Sequence, residues 1–436
     1  MTSVAGRRVT VLGLGHFGGG TAVTRWLVEN GATVTVVDVK SPEELAEPLA
    51  ALAGLPVTFH LGPNPPLADF ASADLVVASP AVPPTNPQVS AARSAGVEIT
   101  TEIRLFTERC RSKIFGVTGT KGQSPTTELL GRMLKTRGTT WVGGNIGRSL
   151  LADLPNIRPG DFVVLELSSF MLWHLAAARW SPHVAVVTMI SQDHLDWHGT
   201  VADYIGAKRT ITAFQTADDF AVLSAADAAT FGPIAGKLRT YPPADATPFH
   251  LKLAGDHNQR NAQAAFVAAT IAGVTRADAG AAVAGFQGLP HRLQVVAERG
   301  GVTFVNDSIA TNPDAAMAAL RSYPAGTVIQ IVGGSGKKHL PFADFAAALA
   351  ARAKLVLCIG ETGPEVAAAV ETAGGAKIAV CGDLANAVES ATSAAVPGDV
   401  VLLSPGFPSY DQFVNYQGRG DEFTSRVSSQ QPKTNN

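Results

Sequence analysis

The sequence predicts an α/β protein built from parallel sheets flanked by helices. Short apolar, β-branched runs alternate with Ala/Leu-rich helical runs along the whole chain. Glycine-rich turns at Gly13 and Gly119 sit where such a run hands over to a helical pattern. A length of 436 residues exceeds one ordinary core and argues for two or three domains.

Composition narrows the class. Hydrophobic residues make up 46% and charged residues 16%, as in a globular chain. A net charge of −2 leaves no electrostatic footprint for nucleic acid or an anionic membrane. Cys110, Cys358 and Cys381 are widely spaced, with neither metal-ligand spacing nor a disulfide framework. The N-terminus runs straight into a strand, and no apolar run is long enough to span a bilayer. A cytoplasmic protein is expected, with a polar, disordered tail over 428–436.

Three blocks separate by content. The first, 1–100, opens with VTVLGLG (9–15), followed by strands at 33–39 and 74–79 and a Pro-rich loop from Pro80 to Pro87. The second, 101–299, holds a strand emptying into the 116–127 glycine loop, then strands at 161–169, 183–190 and 219–224. A turn-rich stretch, Tyr241 to Phe249, precedes a helix starting near Gly255. The third, 300–427, has strands at 302–308, 327–334, 354–360, 377–382 and 399–405 with helices between them.

Gly13, Gly15 and Gly18 form GxGxxG after a strand, and Asp38 ends the next strand at about the spacing that grips a ribose. Either a nucleotide binds there or the glycines only make a tight turn. The loop Gly119-Thr120-Lys121-Gly122-Gln123-Ser124 reads as a phosphate cradle: inward N–H groups, a helix N-terminus, and a hydroxyl for Mg²⁺. Gln123 stands where a P-loop places its lysine, and its amide donates a hydrogen bond but no charge.

Glu166 closes an apolar strand, the end that faces the ligand crevice in α/β folds. Asp193, His194, Asp196 and His198 form a dense cluster, suited to metal or acid–base work and equally to helix capping. Lys208 lies on a helical pattern, where a lone lysine is ordinarily solvated; local physics does not select it. Asn258 and Asn261 open a helix and read as caps or as a polar ligand edge. Arg292 lies near a hinge, as a linker charge or a phosphate contact.

The ordered motifs GxGxxG, TGTKGQS, LELSSF, DHLDWHG, DYIGAK, GDHNQRNAQAA, LPHRL, NDSIATN, GGSGKK and SP…SYDQF…RGDEF span nearly the whole chain. In that order they resemble the Mur ligases, and within them the branch that joins glutamate to UDP-N-acetylmuramoyl-L-alanine. The resemblance implies three domains: an N-terminal Rossmann-like domain for the UDP end, a central P-loop-type ATPase sheet, and a C-terminal Rossmann-like domain for glutamate. It places Leu14, His16 and Asp38 near the uridine and Asn145 near the muramoyl group. ATP would lie on the 119–124 loop, with Asn258 near adenine, Asp307 near ribose and Arg292 near the γ-phosphate. Two Mg²⁺ would involve Ser124, Glu166, His194 and Lys208, the last as a carbamate. Thr311, Lys337, Ser409 and Tyr416 would grip glutamate. A monomer is expected, with no nucleic-acid or membrane partner.

Departures from the family pattern are Gln123 and Ile309 for lysines, Pro125 for threonine, Tyr416 for phenylalanine, and Gly406-Phe407-Pro408 before Ser409. Two absent positive charges near one nucleotide are worth on the order of several kcal/mol. They motivate a rival reading, a Mur-like nucleotide or UDP-sugar binder that turns over poorly. A further rival, an NAD-dependent dehydrogenase, rests on GxGxxG alone. The sequence does not distinguish D- from L-glutamate.

Overall fold

The computed structural model describes residues 3–429 except 15–17, 43, 147, 245, 252–255, 287 and 337–341; of residues 47 and 196 only the backbone is described. The chain divides into two compact units, one holding 1–250 and 257–283, the other 251–256 and 284–436.

The first unit contains two parallel sheets. One is formed by β1 (Arg8–Leu12), β2 (Thr33–Asp38), β3 (Val57–Leu61), β4 (Leu75–Ala78) and β5 (Ile99–Thr100), in the order β3-β2-β1-β4-β5. The second is formed by β6 (Lys113–Thr118), β7 (Thr140–Gly144), β8 (Phe162–Glu166), β9 (Val184–Val187), β10 (Phe220–Ser224) and β11 (Lys237–Tyr241), in the order β11-β10-β9-β6-β8-β7. Strand order reverses beside β1 in one and beside β6 in the other. Such switch points open a crevice at the carboxyl ends of the strands. Helices cover both faces, so the central strands are apolar throughout, as at Val184–Val187, where every residue is buried.

The second unit has one sheet: β12 (Gln294–Arg299), β13 (Val302–Asn306), β14 (Val328–Gly333), β15 (Ala353–Ile359), β16 (Lys377–Gly382) and β17 (Val400–Leu403). Its order is β12-β13-β17-β14-β15-β16, and β12 is antiparallel to β13 while the others run parallel.

Two expectations are corrected, and one unexpected strand is added. The third sheet begins before residue 300, because β12 pairs with β13 over Gln294–Arg299. The last helix, Tyr416–Ser429, runs through 428 and 429, which were expected in a disordered tail; 430–436 lie outside the described residues. The turn-rich stretch at Tyr241 is preceded by a strand, β11, whose Tyr241 hydroxyl donates to the Val187 carbonyl at 2.8 Å.

Candidate active site

The phosphate loop leaves β6 at Thr118 and enters the helix Gln123–Leu134. Gly122 has φ 84°, a left-handed conformation suited to glycine, and a Cβ there would meet Asn261 Oδ1 at 2.4 Å. A Cβ on Gly119 would meet Thr188 Oγ1 at 1.8 Å. The N–H groups of Thr120 and Lys121 donate to the Met189 carbonyl at 2.7 and 3.5 Å, so they brace the loop instead of facing inward. The donors left to meet an anion would be the first-turn N–H groups of the helix. Pro125 sits in that first turn, where its missing N–H leaves no helical bond unmade. Lys121 is exposed; Gln123 carries a buried Oε1 with no partner among the described residues.

Beside the loop lies a buried polar cluster. Glu166 ends β8 at 3% exposure, and its Oε1 accepts from Asn145 Nδ2 at 2.8 Å. Its Oε2 is buried without a partner among the described residues. Lys208 is 2% exposed, on the helix Val201–Ala213 that Thr200 caps through the Asp203 N–H. Its Nζ donates to Thr118 Oγ1 at 3.2 Å and lies 5.0 Å from the Tyr204 ring centroid. Burial pushes the Lys208 amine down to about 7, while Asp193 and Glu166 pull it upward. Tyr204 in turn shares a 2.9 Å hydrogen bond with Thr120 Oγ1 in the phosphate loop. His194 begins the short helix Leu195–His198 with φ 50°; it is exposed, its ring 6.4 Å from that of Tyr204. His198 Nε2 lies 3.0 Å from Ser169 Oγ, and its ring stacks on Phe170.

These groups fit a cation. An unpartnered carboxylate oxygen buried beside a phosphate loop is unfavourable unless a positive charge meets it. Among the described residues no three His, Cys, Asp or Glu side chains already form a metal-binding group. A carbamate on Lys208 would add the missing anionic oxygens.

Other expected residues fall in two further places. Asp38 accepts from the backbone N–H of Leu14 at 2.8 Å and of Lys40 at 3.0 Å, so it shapes the loop after β1. Gly20, not Gly18, is the glycine that close packing requires: a Cβ on Gly20 would meet the Leu14 carbonyl at 2.2 Å, and one on Gly18 meets nothing within 4 Å. His16 and Lys337 lie outside the described residues. Asn258 is buried in the first turn of Asp256–Thr270, and Asn261 of the same helix is the one that packs on Gly122.

In the second unit, Thr311, Ser409 and Tyr416 come from the loops after β13 and β17 and the start of the last helix. Phe407 is 2% exposed in the core against Phe342, which accounts for the bulky residue before Ser409. Asp307 Oδ1 accepts from the Leu293 N–H at 3.0 Å, and Oδ2 from Ser404 Oγ at 2.7 Å. That holds the backbone beside Arg292, whose neighbours His291 and Leu293 both have positive φ.

Burial pushes the Asp307 carboxyl up to about 7, against Ser404, the Leu293 N–H and Arg292. A raised carboxyl means the folded state binds more protons between about pH 4 and 7, so this group's contribution is lost as pH rises. Asp307→Asn is expected to gain stability relative to the parent as pH climbs from 5 to 8, on the order of a few kcal/mol at the upper end. Denaturant melts at both pH values check this.

Residues 7–101 match the family described as "Mur ligase MurD-like, N-terminal domain", 117–241 the "Mur ligase middle domain", and 291–407 the "Mur ligase, glutamate ligase domain". The chain belongs to the Mur ligase family. This Mur ligase is 40% identical to the UDP-N-acetylmuramoylalanine–D-glutamate ligase of Roseiflexus sp. (strain RS-1), over 98% of this chain and 99% of that one. It is 39% identical to the enzyme of the same name from Anaeromyxobacter dehalogenans (strain 2CP-C), over 98% of each. Among solved structures it resembles the UDP-N-acetylmuramate-alanine ligase MurC of Thermotoga maritima, with TM-score 0.62 and 20% identity, covering 97% of this chain and 99% of that one. It also resembles the MurF ligase of Thermotoga maritima in complex with ADP, with TM-score 0.55 and 17% identity, covering 98% and 99%. These likenesses show the fold.

One residue of this Mur ligase escaped the sequence reading. Arg419 is 1% exposed and reaches Ser308 Oγ at 3.0 Å, the Ser308 carbonyl at 2.9 Å and the Phe407 carbonyl at 3.0 Å. It ties together the loops carrying Asp307 and Ser409. The RGDEF motif was visible, but nothing in it distinguishes a buried arginine from a solvated one.

Proposed function

We propose that this chain is an ATP-dependent ligase that joins D-glutamate to UDP-N-acetylmuramoyl-L-alanine, giving ADP and phosphate, in peptidoglycan precursor synthesis. The observation that carries this reading is the buried Glu166–Lys208 cluster beside the phosphate loop, in a chain 40% identical over 98% of its length to a ligase so named.

The substrate carboxylate attacks the γ-phosphorus of ATP, forming an acyl phosphate and ADP. The glutamate amine then attacks the acyl carbon, and phosphate leaves. The loop Gly119–Ser124 holds the triphosphate; Asn258, Asp307 and Arg292 are assigned to adenine, ribose and γ-phosphate. Leu14, His16 and Asp38 take the uridine end and Asn145 the muramoyl group; Thr311, Lys337, Ser409 and Tyr416 take glutamate. Ser124, Glu166, His194 and carbamylated Lys208 would hold two Mg²⁺, which supply positive charge for phosphoryl transfer. The fixed positions of Glu166 and Asn145 orient the site before substrate arrives. Phosphate release that requires ATP, UDP-N-acetylmuramoyl-L-alanine and glutamate together tests the reading.

Gln123 limits the rate in this account, because its amide orients an oxygen without neutralising it. Lys121, exposed in the same loop, supplies charge in its place. Lys121→Ala is expected to lower kcat by about tenfold to a thousandfold, and Gln123→Lys to raise kcat or tighten ATP binding. Steady-state kinetics check both. Parent-like rates in the two variants would leave phosphate handling to backbone groups and metal.

A further inference from the structure

A cleft of about 860 Å³ opens in the first unit, lined by none of the residues assigned above to substrate, nucleotide or metal. One wall comes from the helices Pro87–Ser94 and Glu102–Thr107 and the loop before the first of them. The other comes from the helices Ser169–Ala177 and Val201–Ala213. We infer that this cleft is a second ligand site, for a flat aromatic anion, in contact with the helix that carries Lys208.

The wall chemistry selects that class. Trp173 and Trp197 line the cleft as an edge-to-face pair 5.6 Å apart. The Trp197 Nε1–H is already satisfied by the Ala81 carbonyl at 3.0 Å, so its apolar ring is what remains to offer a ligand. Pro83 and Pro84 add flat apolar surface.

Two guanidiniums supply the anion contact. Arg93 donates from Nη1 to the Pro84 carbonyl at 3.1 Å, and Arg104 from Nε to Glu108 at 2.7 Å. Each guanidinium has five N–H donors in a fork that matches a carboxylate, sulfonate or phosphate. The one acidic lining residue, Asp203, is engaged by the Thr200 hydroxyl at 2.6 Å. His174 on the same wall has a buried Nε2 with no partner among the described residues. Burial, then Arg93 and Arg104, push its imidazole down to about 4, so at pH 7 it offers a ligand a neutral ring nitrogen and leaves the positive charge to the two arginines.

Gly206 makes room. It lies in the interior of Val201–Ala213, where glycine weakens a helix relative to alanine, yet a Cβ there would meet nothing within 4 Å. No packing in the structure requires its bareness, and it lines the cleft. Two residues along the same helix, Lys208 points into the catalytic cluster. Trp197 and His198 line the cleft in the segment that also carries His194. An occupant therefore touches the two elements that place Lys208 and His194.

The probe is 1-anilinonaphthalene-8-sulfonate, with N-phenyl-1-naphthylamine as its counterpart without the sulfonate. Expected is saturable binding of one sulfonate probe per chain, at least tenfold tighter than the neutral probe. ATP should not displace it. Arg104→Ala should weaken it at least tenfold, and Gly206→Phe, which fills the cleft, should abolish it. Thermal melts confirm that both variants are folded; if Gly206→Phe does not fold, Arg93→Ala replaces it with the same tenfold expectation. Parent-like affinity in the folded variants, equal binding of the neutral probe, or displacement by ATP would overturn the assignment. Because the readout is binding, it is independent of whether the chain ligates glutamate.

Discussion

Lys208→Ala is expected to lose at least about a hundredfold to a thousandfold in kcat, the scale of removing one charge-placing group from a phosphoryl-transfer site. The structure supplies the reason that sequence physics lacked. The amine is 2% exposed, bonded to Thr118 Oγ1, and pushed down to about 7 by burial. A neutral amine is the form that attacks CO₂; loss of its proton then leaves a carbamate anion. The same position offers an unpartnered Glu166 oxygen, so a carbamate and Glu166 would together present negative charge to a cation. Partial rescue of Lys208→Ala by acetate or propionate is the diagnostic result, since a short carboxylate restores the anion without the chain. A carbamate resonance after labelling with ¹³C-bicarbonate, absent in the variant, checks the modification independently of turnover. Full activity in Lys208→Ala would remove the residue from the site.

Glu166→Gln carries a similar expected loss, at least about a hundredfold in kcat. Its Oε1 bond with Asn145 survives an amide in one orientation, so folding is expected to persist. What disappears is the negative charge on the buried oxygen. The separating measurement is thermal stabilisation by Mg²⁺ with ADP: the parent should gain it by mass action, and Glu166→Gln should gain much less at the same concentrations. Equal stabilisation in both would show that Glu166 does not face the metal.

The sequence revealed central strands and concealed edges. β9 and β17 are buried along their whole length and read as apolar runs. β3, β5, β7, β11 and β12 passed unseen, and each lies at the edge of its sheet. β11, KLRTY, is exposed at four positions and shows no hydrophobic signal. β5 has two residues, too few for any pattern. β16, also an edge, was found because KIAVCG keeps an apolar run despite its exposure.

The site was legible where chemistry and position coincide. Glu166 at a strand end and glycines before a helix carry their own mechanism. Lys208 did not: a helical lysine gives no local sign of burial, and only the motif resemblance singled it out. Asn261 and Arg419 depend on contacts across 139 and 111 residues of chain, with Gly122 and Ser308, which no local window contains. Asp38 and Asp307 were expected to face ribose, and both also hold backbone N–H groups in place. A carboxylate that shapes a loop and one that meets a ligand leave the same letter in the sequence.

The central claim is best tested by incubating the purified protein with ATP, Mg²⁺, UDP-N-acetylmuramoyl-L-alanine and either D- or L-glutamate, and following the dipeptide product by mass. Product is expected with D-glutamate, with one ADP and one phosphate per product, and little or none with L-glutamate. No product with either isomer, while nucleotide still binds, would contradict it and favour the non-catalytic binder that Gln123 and Ile309 suggest.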